Sequence, residues 1–306
     1  MGSILQNMTL AEYLKSYLHL LDSPLRYIRT YKNGLSVILH LLQNKFPFKG
    51  VLKNGEKISI HNYYEAYLAS FNILHGYKIE GDLISLSTKD FPDVKLHLEN
   101  NNGDVHGVFF EQVYDFLKVK DKIVLDIGAN IGDSSIYFAL KGAKKIIALE
   151  PFPKNNNTAK KNIELNHLSD KITLLSAGCS AKKGEISLDP NQEGAGSATD
   201  FVTDGVKIPL KTLEELIHEF KIPDDSIMKV DCEGCEIEVI LSSDKKILGK
   251  FSQIEIEYHY GYKDLKNKLE NCGFKVVTSP PLFLRNKQSN KSMYFGYLYA
   301  TNISKI

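Results

Sequence analysis

The chain has 306 residues, 43% of them hydrophobic, with 38 Lys and Arg against 37 Asp and Glu for a net charge of +1. That near balance gives no general electrostatic pull toward nucleic acid or an anionic membrane, so acidic or phosphate-rich partners are not implied. A chain of this length can bury a full α/β core and still carry a second, smaller domain.

The opening MGSILQNMTL lacks a cationic region ahead of a long apolar one. No later stretch approaches the roughly 20 apolar residues of a spanning helix, so the chain reads as cytoplasmic and without membrane insertion. Met1-Gly2-Ser3 is discounted as a myristoylation signal, because that pattern wants Ser or Thr where Gln6 stands. Thr9 and Glu12 make a capping box, and Leu10, Tyr13, Leu14, Tyr17, Leu18 and Leu21 predict an amphipathic helix over 9–21. Ser23-Pro24 opens another helix. Arg26, Arg29 and Lys32 lie close to one of its faces, where a solvated basic surface is favoured over an anion site. Asn54-Gly55 in VLKNGEKISI predicts a hairpin. Asn62 and Glu65 start a further helix, and strand-like runs near Leu83 and Val94 lead to the polar ENNNGD segment. Residues 1–103 are therefore expected to form an α+β appendage, and 104–306 the main domain.

After Gly103 the chain alternates strand and helix. VHGVFFEQVYDFLKV predicts a short strand and a helix that lead into an apolar strand ending at Ile127. Lys171 to Leu175 reads as a third strand, followed by SAGCS, whose Ala177 is placed over a bound base. SAKKGEISLDP reads as a hairpin and NQEGAGSATD as a mobile lid. Leu210 to Phe220 is expected to be helical. Ile227 to Asp231 and IEIEYHY are the fourth and fifth strands. The segment after Cys272-Gly273 and MYFGYLYAT make a closing pair, the latter antiparallel beside an otherwise parallel sheet.

The densest information lies in VLDIGANIGD, followed eighteen residues after its last Gly by Glu150-Pro151. A buried strand ending in an acid, a glycine turn, a helix opening near Asp133 and a second strand ending in Glu is how an α/β domain grips a nucleoside. A dinucleotide loop wants a second Gly for close approach to a pyrophosphate, and Asn130 stands there, its side chain expected to crowd that group. The loop suits a phosphate-free ligand such as S-adenosylmethionine. Its amino-acid part would bond to backbone groups and Asp126, and its ribose hydroxyls to Glu150.

The four cysteines are too few and too scattered for a disulfide framework and are expected to be free thiols. Cys232 and Cys235 form a C-x-x-C. Neither a second pair nor a His pair follows at zinc spacing, and the flanking acids would raise the thiol pKa values.

DIGANIGDSSIYFALKGAKKIIALEP, LKTLEEL and IMKVDCEGCEIEVI together resemble the FkbM family of S-adenosylmethionine-dependent methyltransferases, over roughly Val108 to Phe274. The resemblance implies a Rossmann-like class I methyltransferase fold, mostly parallel and seven-stranded with an antiparallel last strand. It also implies transfer to oxygen, often a hydroxyl of a sugar or polyketide. It places Asp126, Gly128, Asn130, Gly132 and Ser134 around the methionine part and Glu150 on the ribose. Ala129, Pro151 and Ala177 complete the expected cofactor set.

Methyl transfer from a sulfonium is an in-line displacement that mainly needs a positioned acceptor and excluded water. Asp231 and Glu233, at the end of strand four beside strand one, are the first candidates for the acceptor side. Glu236 is read as a cap for the next helix. On strand five a period of two puts Glu255, Glu257 and His259 on one face. His259 is the natural general base there. A divalent metal held with Asp231, as in some O-methyltransferases, is a further reading of that face, but the expected site contains none. Ser279-Pro280-Pro281-Leu282 resembles the S-P-P-aromatic motif of methyltransferases acting on DNA bases, but it follows strand six and ends in Leu. The acidic DCEGC would repel a nucleic-acid backbone, so the expected partner is a small-molecule or carbohydrate acceptor and no nucleic acid. Two other classes stay open: a nicotinamide-dependent oxidoreductase, and a cofactor-binding interaction module without turnover.

Overall fold

A computed structural model describes residues 22–61, 65–66, 69, 78–80, 82–88, 90–91, 93–97, 99, 104–191, 204–285 and 292–305. The helix expected over 9–21, most of the one begun at Asn62 and the 194–200 loop lie outside them.

Helices α1 (Asp22–Thr30) and α2 (Gly34–Leu42) pack together. Lys32 falls beyond the end of α1, so it does not continue the face that carries Arg26 and Arg29. Strands β1 (Phe48–Val51) and β2 (Lys57–Ile60) form the hairpin that Asn54-Gly55 predicts. Gly55 takes φ +97°, the conformation a tight turn demands and glycine meets without strain. Tyr31, Val37, Leu41, Phe48, Leu52 and Ile60 make a small core of their own.

Strands β3 (Lys78–Glu80), β4 (Leu83–Leu86) and β5 (Val94–His97) form an antiparallel sheet. Residues 104–111 correct one expectation. They are not a strand but a helical turn, Asp104–His106, running into a π-helical turn, Gly107–Glu111, closed by left-handed Gln112. The reason is visible in Val105, Val108 and Phe109, buried together at helical rather than alternating spacing. Turns rather than a helix follow.

The main sheet starts with β6 (Ile123–Ile127), and α3 (Asp133–Leu140), β7 (Lys145–Leu149), α4 (Pro153–Leu165) and β8 (Ile172–Leu175) follow in turn. Between β8 and the fourth parallel strand lies a side sheet of β9 (Gly178–Cys179), β10 (Gly184–Leu188) and β11 (Val206–Lys211). The expected hairpin therefore closes between β10 and β11, and not within SAKKGEISLDP. Leu210 and Lys211 belong to β11, so the helix expected from Leu210 begins later, as α5 (Leu213–Glu219). Thr212 and Glu215 fix that start with a reciprocal capping box. Then come β12 (Ser226–Val230), α6 (Glu236–Ser242), α7 (Lys245–Leu248), β13 (Phe251–Tyr258), α8 (Lys263–Asn271), β14 (Phe274–Thr278), β15 (Leu282–Arg285) and β16 (Ser292–Asn302).

The strand order is β14-β16-β13-β12-β6-β7-β8, with β16 antiparallel to both neighbours and β15 added at its far end. Helices cover both faces, which is why the central strands read as continuous apolar runs. One core joins Val124, Ile136, Ile146 and Ile163 to Ile84, Leu86 and Leu96 of the small sheet. The other joins Leu125, Ile127, Leu216, Ile240, Leu265 and Leu298. The edge of β5 is paired by side chains of α4: Asn162 and Asn166 each accept from a backbone N–H and donate to the carbonyl of the same residue, His97 and Lys95 respectively. Among the described residues no helix is long and apolar enough to cross a membrane.

Because the small sheet shares its core with the main one, Leu96→Ala should lower the stability of the whole unit by about 2–5 kcal/mol. Denaturant unfolding followed by circular dichroism should show one transition moved to lower denaturant, not a separate early phase.

Candidate active site

The turn after β6 is built around a close approach. Gly128 has φ +82°, and a Cβ there would collide with the carbonyl of Asp231 at the end of β12. The amides of Gly128 and Ala129 both donate to the Leu149 carbonyl at 3.0 and 2.9 Å. Asn130 is left-handed, φ +46°; its N–H donates to Glu150 Oε2 at 2.8 Å and its side-chain oxygen accepts from Asn155 of α4. Its side chain is thus drawn to α4, which revises the reason it disfavours a pyrophosphate. The loop's amides are already engaged, one of them by a carboxyl group.

Behind the loop lies a buried charge cluster. Lys229, central in β12 and 2% exposed, donates to the Gly128 carbonyl at 2.6 Å. Its ammonium stands 3.3 Å from Asp126 and 3.7 Å from Asp231. Burial alone would lower its pKa, but Asp126, Asp231 and Asp133 outweigh that and hold it charged. Asp126 also accepts from the Ser134 and Ser135 hydroxyls at 2.7 and 2.6 Å. Asp126 and Ser134, expected around the methionine part, are both buried and bond to each other. Gly132, φ +86°, likewise packs against Ala159 of α4. These three residues shape the loop from behind.

Glu150, just past β7, accepts from the amides of Asn130 and Phe152 at 2.8 and 2.9 Å. Burial pushes its pKa up to about 8 against those two hydrogen bonds. Each oxygen keeps a second lone pair for a ligand hydroxyl.

A second cluster surrounds His259, 3% exposed at the end of β13. Its Nδ1 lies 3.0 Å from Glu236 Oε1. That oxygen also accepts from the amides of Cys232 and Gly234, so Glu236 ties the loop after β12 to the imidazole as well as opening α6. His259 Nε2 faces Glu233 at 3.6 Å, Glu257 at 3.9 Å and Asp231 at 4.0 Å. Burial disfavours the charged ring, but the Glu236 bond and the charges of Glu236, Glu233 and Asp231 raise its pKa well above the ordinary value. The surrounding carboxylates favour the charged ring, whereas a general base acts from the neutral one. The strand-five face otherwise follows the period of two: Ile254, Ile256 and Tyr258 fill the opposite core.

A cavity of about 340 Å³ opens at the carboxyl ends of β6, β7 and β12. Of the residues expected from sequence, Gly128, Pro151, Ala177 and Glu233 line it. Ala129, Asn130 and Glu150 frame the loop beside it, and Asp231, 3.7 Å from Lys229, also accepts from the Tyr114 hydroxyl at 3.4 Å. Sequence reasoning missed Phe152, Gly178 and Ser180 on the walls and Lys229 beneath. A lysine inside the apolar run IMKV was the available signal for the last, since a buried ammonium requires acidic partners. Cys232 and Cys235 also line the cavity and are joined by a disulfide. This corrects the expectation of four free thiols. Left-handed Glu233, φ +57°, and Gly234, φ +134°, fold the loop back until the two Cα atoms are 5.6 Å apart, within bridging range. Cys179 and Cys272 are free and buried.

A seven-stranded sheet in this order, with one antiparallel strand inserted at its end and a crevice over the first, second and fourth strands, has the Rossmann-like class I methyltransferase fold. Residues 126–276 match the model of the methyltransferase FkbM domain, and this part of the chain belongs to that family of methyltransferases. Hexuronic acid methyltransferase AglP of Haloferax volcanii is 28% identical over 144 residues, covering 46% of this chain and 58% of that protein. Methyltransferase 1 of Beauveria bassiana is 23% identical over 218 residues, covering 62% and 86% respectively. Among solved structures, TrmK of M. capricolum in complex with S-adenosyl-homocysteine aligns at 15% identity over 63% of this chain and 68% of that one, with a TM-score of 0.39.

Gly128→Ala should cost about 3 kcal/mol or more, since the new methyl meets backbone on a left-handed residue, and a fall in melting temperature of at least several degrees checks it. Glu150 gives a pH signature. Its pKa is about 8 in the fold against an ordinary 4.5, so its contribution is fully present below pH 4.5 and is lost as pH rises through 8. Replacing it by Gln should therefore favour the variant more at pH 9 than at pH 4.5, read as the difference between the two melting temperatures at each pH.

Proposed function

We propose that the chain moves a methyl group from S-adenosylmethionine to a hydroxyl oxygen of a small acceptor such as a sugar or polyketide. The observation that carries this reading is the cavity over β6, β7 and β12, with a nucleoside-sized apolar wall on one side and carboxylates on the other. Ile127, Leu149, Pro151, Phe152 and Ala177 suit an adenine ring. Glu150 accepts from the ribose hydroxyls with its remaining lone pairs, and Gly128, on the cavity wall, lets the turn close against the Asp231 carbonyl. The family supports methyl transfer, and AglP, by its name, acts on a hexuronic acid.

The chemistry asks little more than alignment. The acceptor oxygen attacks the methyl carbon as the carbon–sulfur bond breaks, leaving a neutral thioether, and the hydroxyl proton passes to a carboxylate. Asp231 and Glu233 are the groups assigned to that side. Their negative field also favours the sulfonium and disfavours a phosphate backbone, which supports a small hydroxylated acceptor.

Calorimetry on the full chain tests the donor: S-adenosylmethionine and its demethylated product should each bind one per chain and NAD should not. Glu150→Ala should weaken the donor at least tenfold. Tight binding of NAD alone would overturn the assignment. A screen of hydroxylated compounds with labelled methyl donor then finds the acceptor.

A further inference from the structure

The carboxylates around His259 are spaced for a guest. Among the described residues Nε2 has no hydrogen-bond partner, and its three neighbouring carboxylate oxygens stand 3.6 to 4.0 Å away, too far for hydrogen bonds. Two atoms bound to one small cation at about 2.1 Å lie about 3.0 Å apart at a right angle and about 4.2 Å apart when opposed. Donor atoms of Asp231, Glu257 and His259 all fall within 4.8 Å of one another.

Two further observations point the same way. Glu255, two residues before Glu257 on the same face, is 1% exposed, and among the described residues neither of its carboxyl oxygens has a hydrogen-bond partner. It sits in the field of Lys229 and of Asp231, a member of the same cluster. An acid buried with both oxygens unsatisfied needs a compensating group. In addition, Glu236 holds Nδ1 of His259 from behind, the carboxylate–histidine arrangement that fixes a metal-binding ring with Nε2 outward.

We propose that Asp231, Glu257 and His259 Nε2 form a divalent-cation site at the acceptor side of the cavity, with Glu255 holding a water on the ion or joining its ligands. The mixed oxygen and imidazole set suits Mn²⁺, with Mg²⁺ and Zn²⁺ as its competitors. Asp231, Glu233 and Glu257 are partly exposed, so the ion keeps open positions, and Glu233 at 3.6 Å from Nε2 lines the cavity. Those positions would take an acceptor with two oxygens on neighbouring carbons, a hydroxy acid or a vicinal diol. This role rests on the methyl-transfer reading, whereas the ion site stands on the geometry alone. It also restores the metal that the sequence pattern by itself does not require.

Mn²⁺ binding is read directly, from the loss of the free-ion paramagnetic resonance signal on titration into the full chain. One site per chain is expected. His259→Ala and Glu257→Gln should each weaken it at least tenfold, Glu236→Gln by about 10–100-fold as a positioning change, and Asp264→Asn, an exposed residue on α8, not at all. Melting temperatures identify any variant that fails to fold, and the remaining variants then decide. No saturable site in the wild type, or equal binding by wild type and Glu257→Gln, overturns the proposal. Calorimetry with S-adenosylmethionine on the same samples separates the readings: donor binding without Mn²⁺ binding removes only the ion, and Mn²⁺ binding without donor binding removes only the methyl transfer.

Discussion

The buried ammonium of Lys229 holds the centre of this molecule together. It reaches the carbonyl of Gly128 on the first turn, Asp126 inside the first strand and Asp231 at the tip of the fourth, and it lies within the field of Asp133 at the start of α3. Taking such a charge out of water costs several kcal/mol, and several carboxylates at short range are needed to offset it. The geometry of the crevice follows. The Gly128 turn can lie against the Asp231 carbonyl only with a glycine there, and the lysine fastens both sides of that contact. Removing one member of so buried a set leaves its partners uncompensated, at a cost of about 3–5 kcal/mol.

Around this centre the carboxylates divide by environment. Asp126 is neutralised by Lys229 and two serine hydroxyls and serves architecture. Glu150 is desolvated, held by two amides, and kept nearer neutrality than an ordinary glutamate. Asp231, Glu233 and Glu257 stay partly exposed around His259 and give that side of the site its negative field. Glu236 joins that field to the loop closed by the Cys232–Cys235 disulfide, so the wall of the cavity and the orientation of the imidazole are set by one side chain.

Much of the fold was legible because its signals are local. Asn54-Gly55 dictates a turn, and alternation in MYFGYLYAT dictates a strand. D-x-G after an apolar run marks a ligand-facing turn whatever surrounds it. Where the structure departs from the pattern, a second signal competes with the first. Val105 to Glu111 carries aromatic and β-branched residues that suggest a strand, but its burial partners recur every three or four residues. Leu210 fits the apolar face of a helix, yet the Thr212–Glu215 cap starts that helix only after it. The pairing of β10 with β11 spans a long loop, and no local pattern announces a partner that far along the chain.

The site shows the same division. From sequence alone come the type of fold and the positions of the glycine turn, of Glu150 after the second strand and of the acids after the fourth, because each depends on residues adjacent in the chain and on backbone conformations only certain residues adopt. Which side of the loop a side chain takes was settled in three dimensions. Asp126 and Ser134 turn inward because the ammonium of Lys229, on a strand far along the chain, stands behind the loop. His259 is ringed by carboxylates because Glu233 of another loop and Glu236 at the start of α6 converge on it. Charge and desolvation act over distances of a few ångströms, and only the folded chain decides which groups come within them.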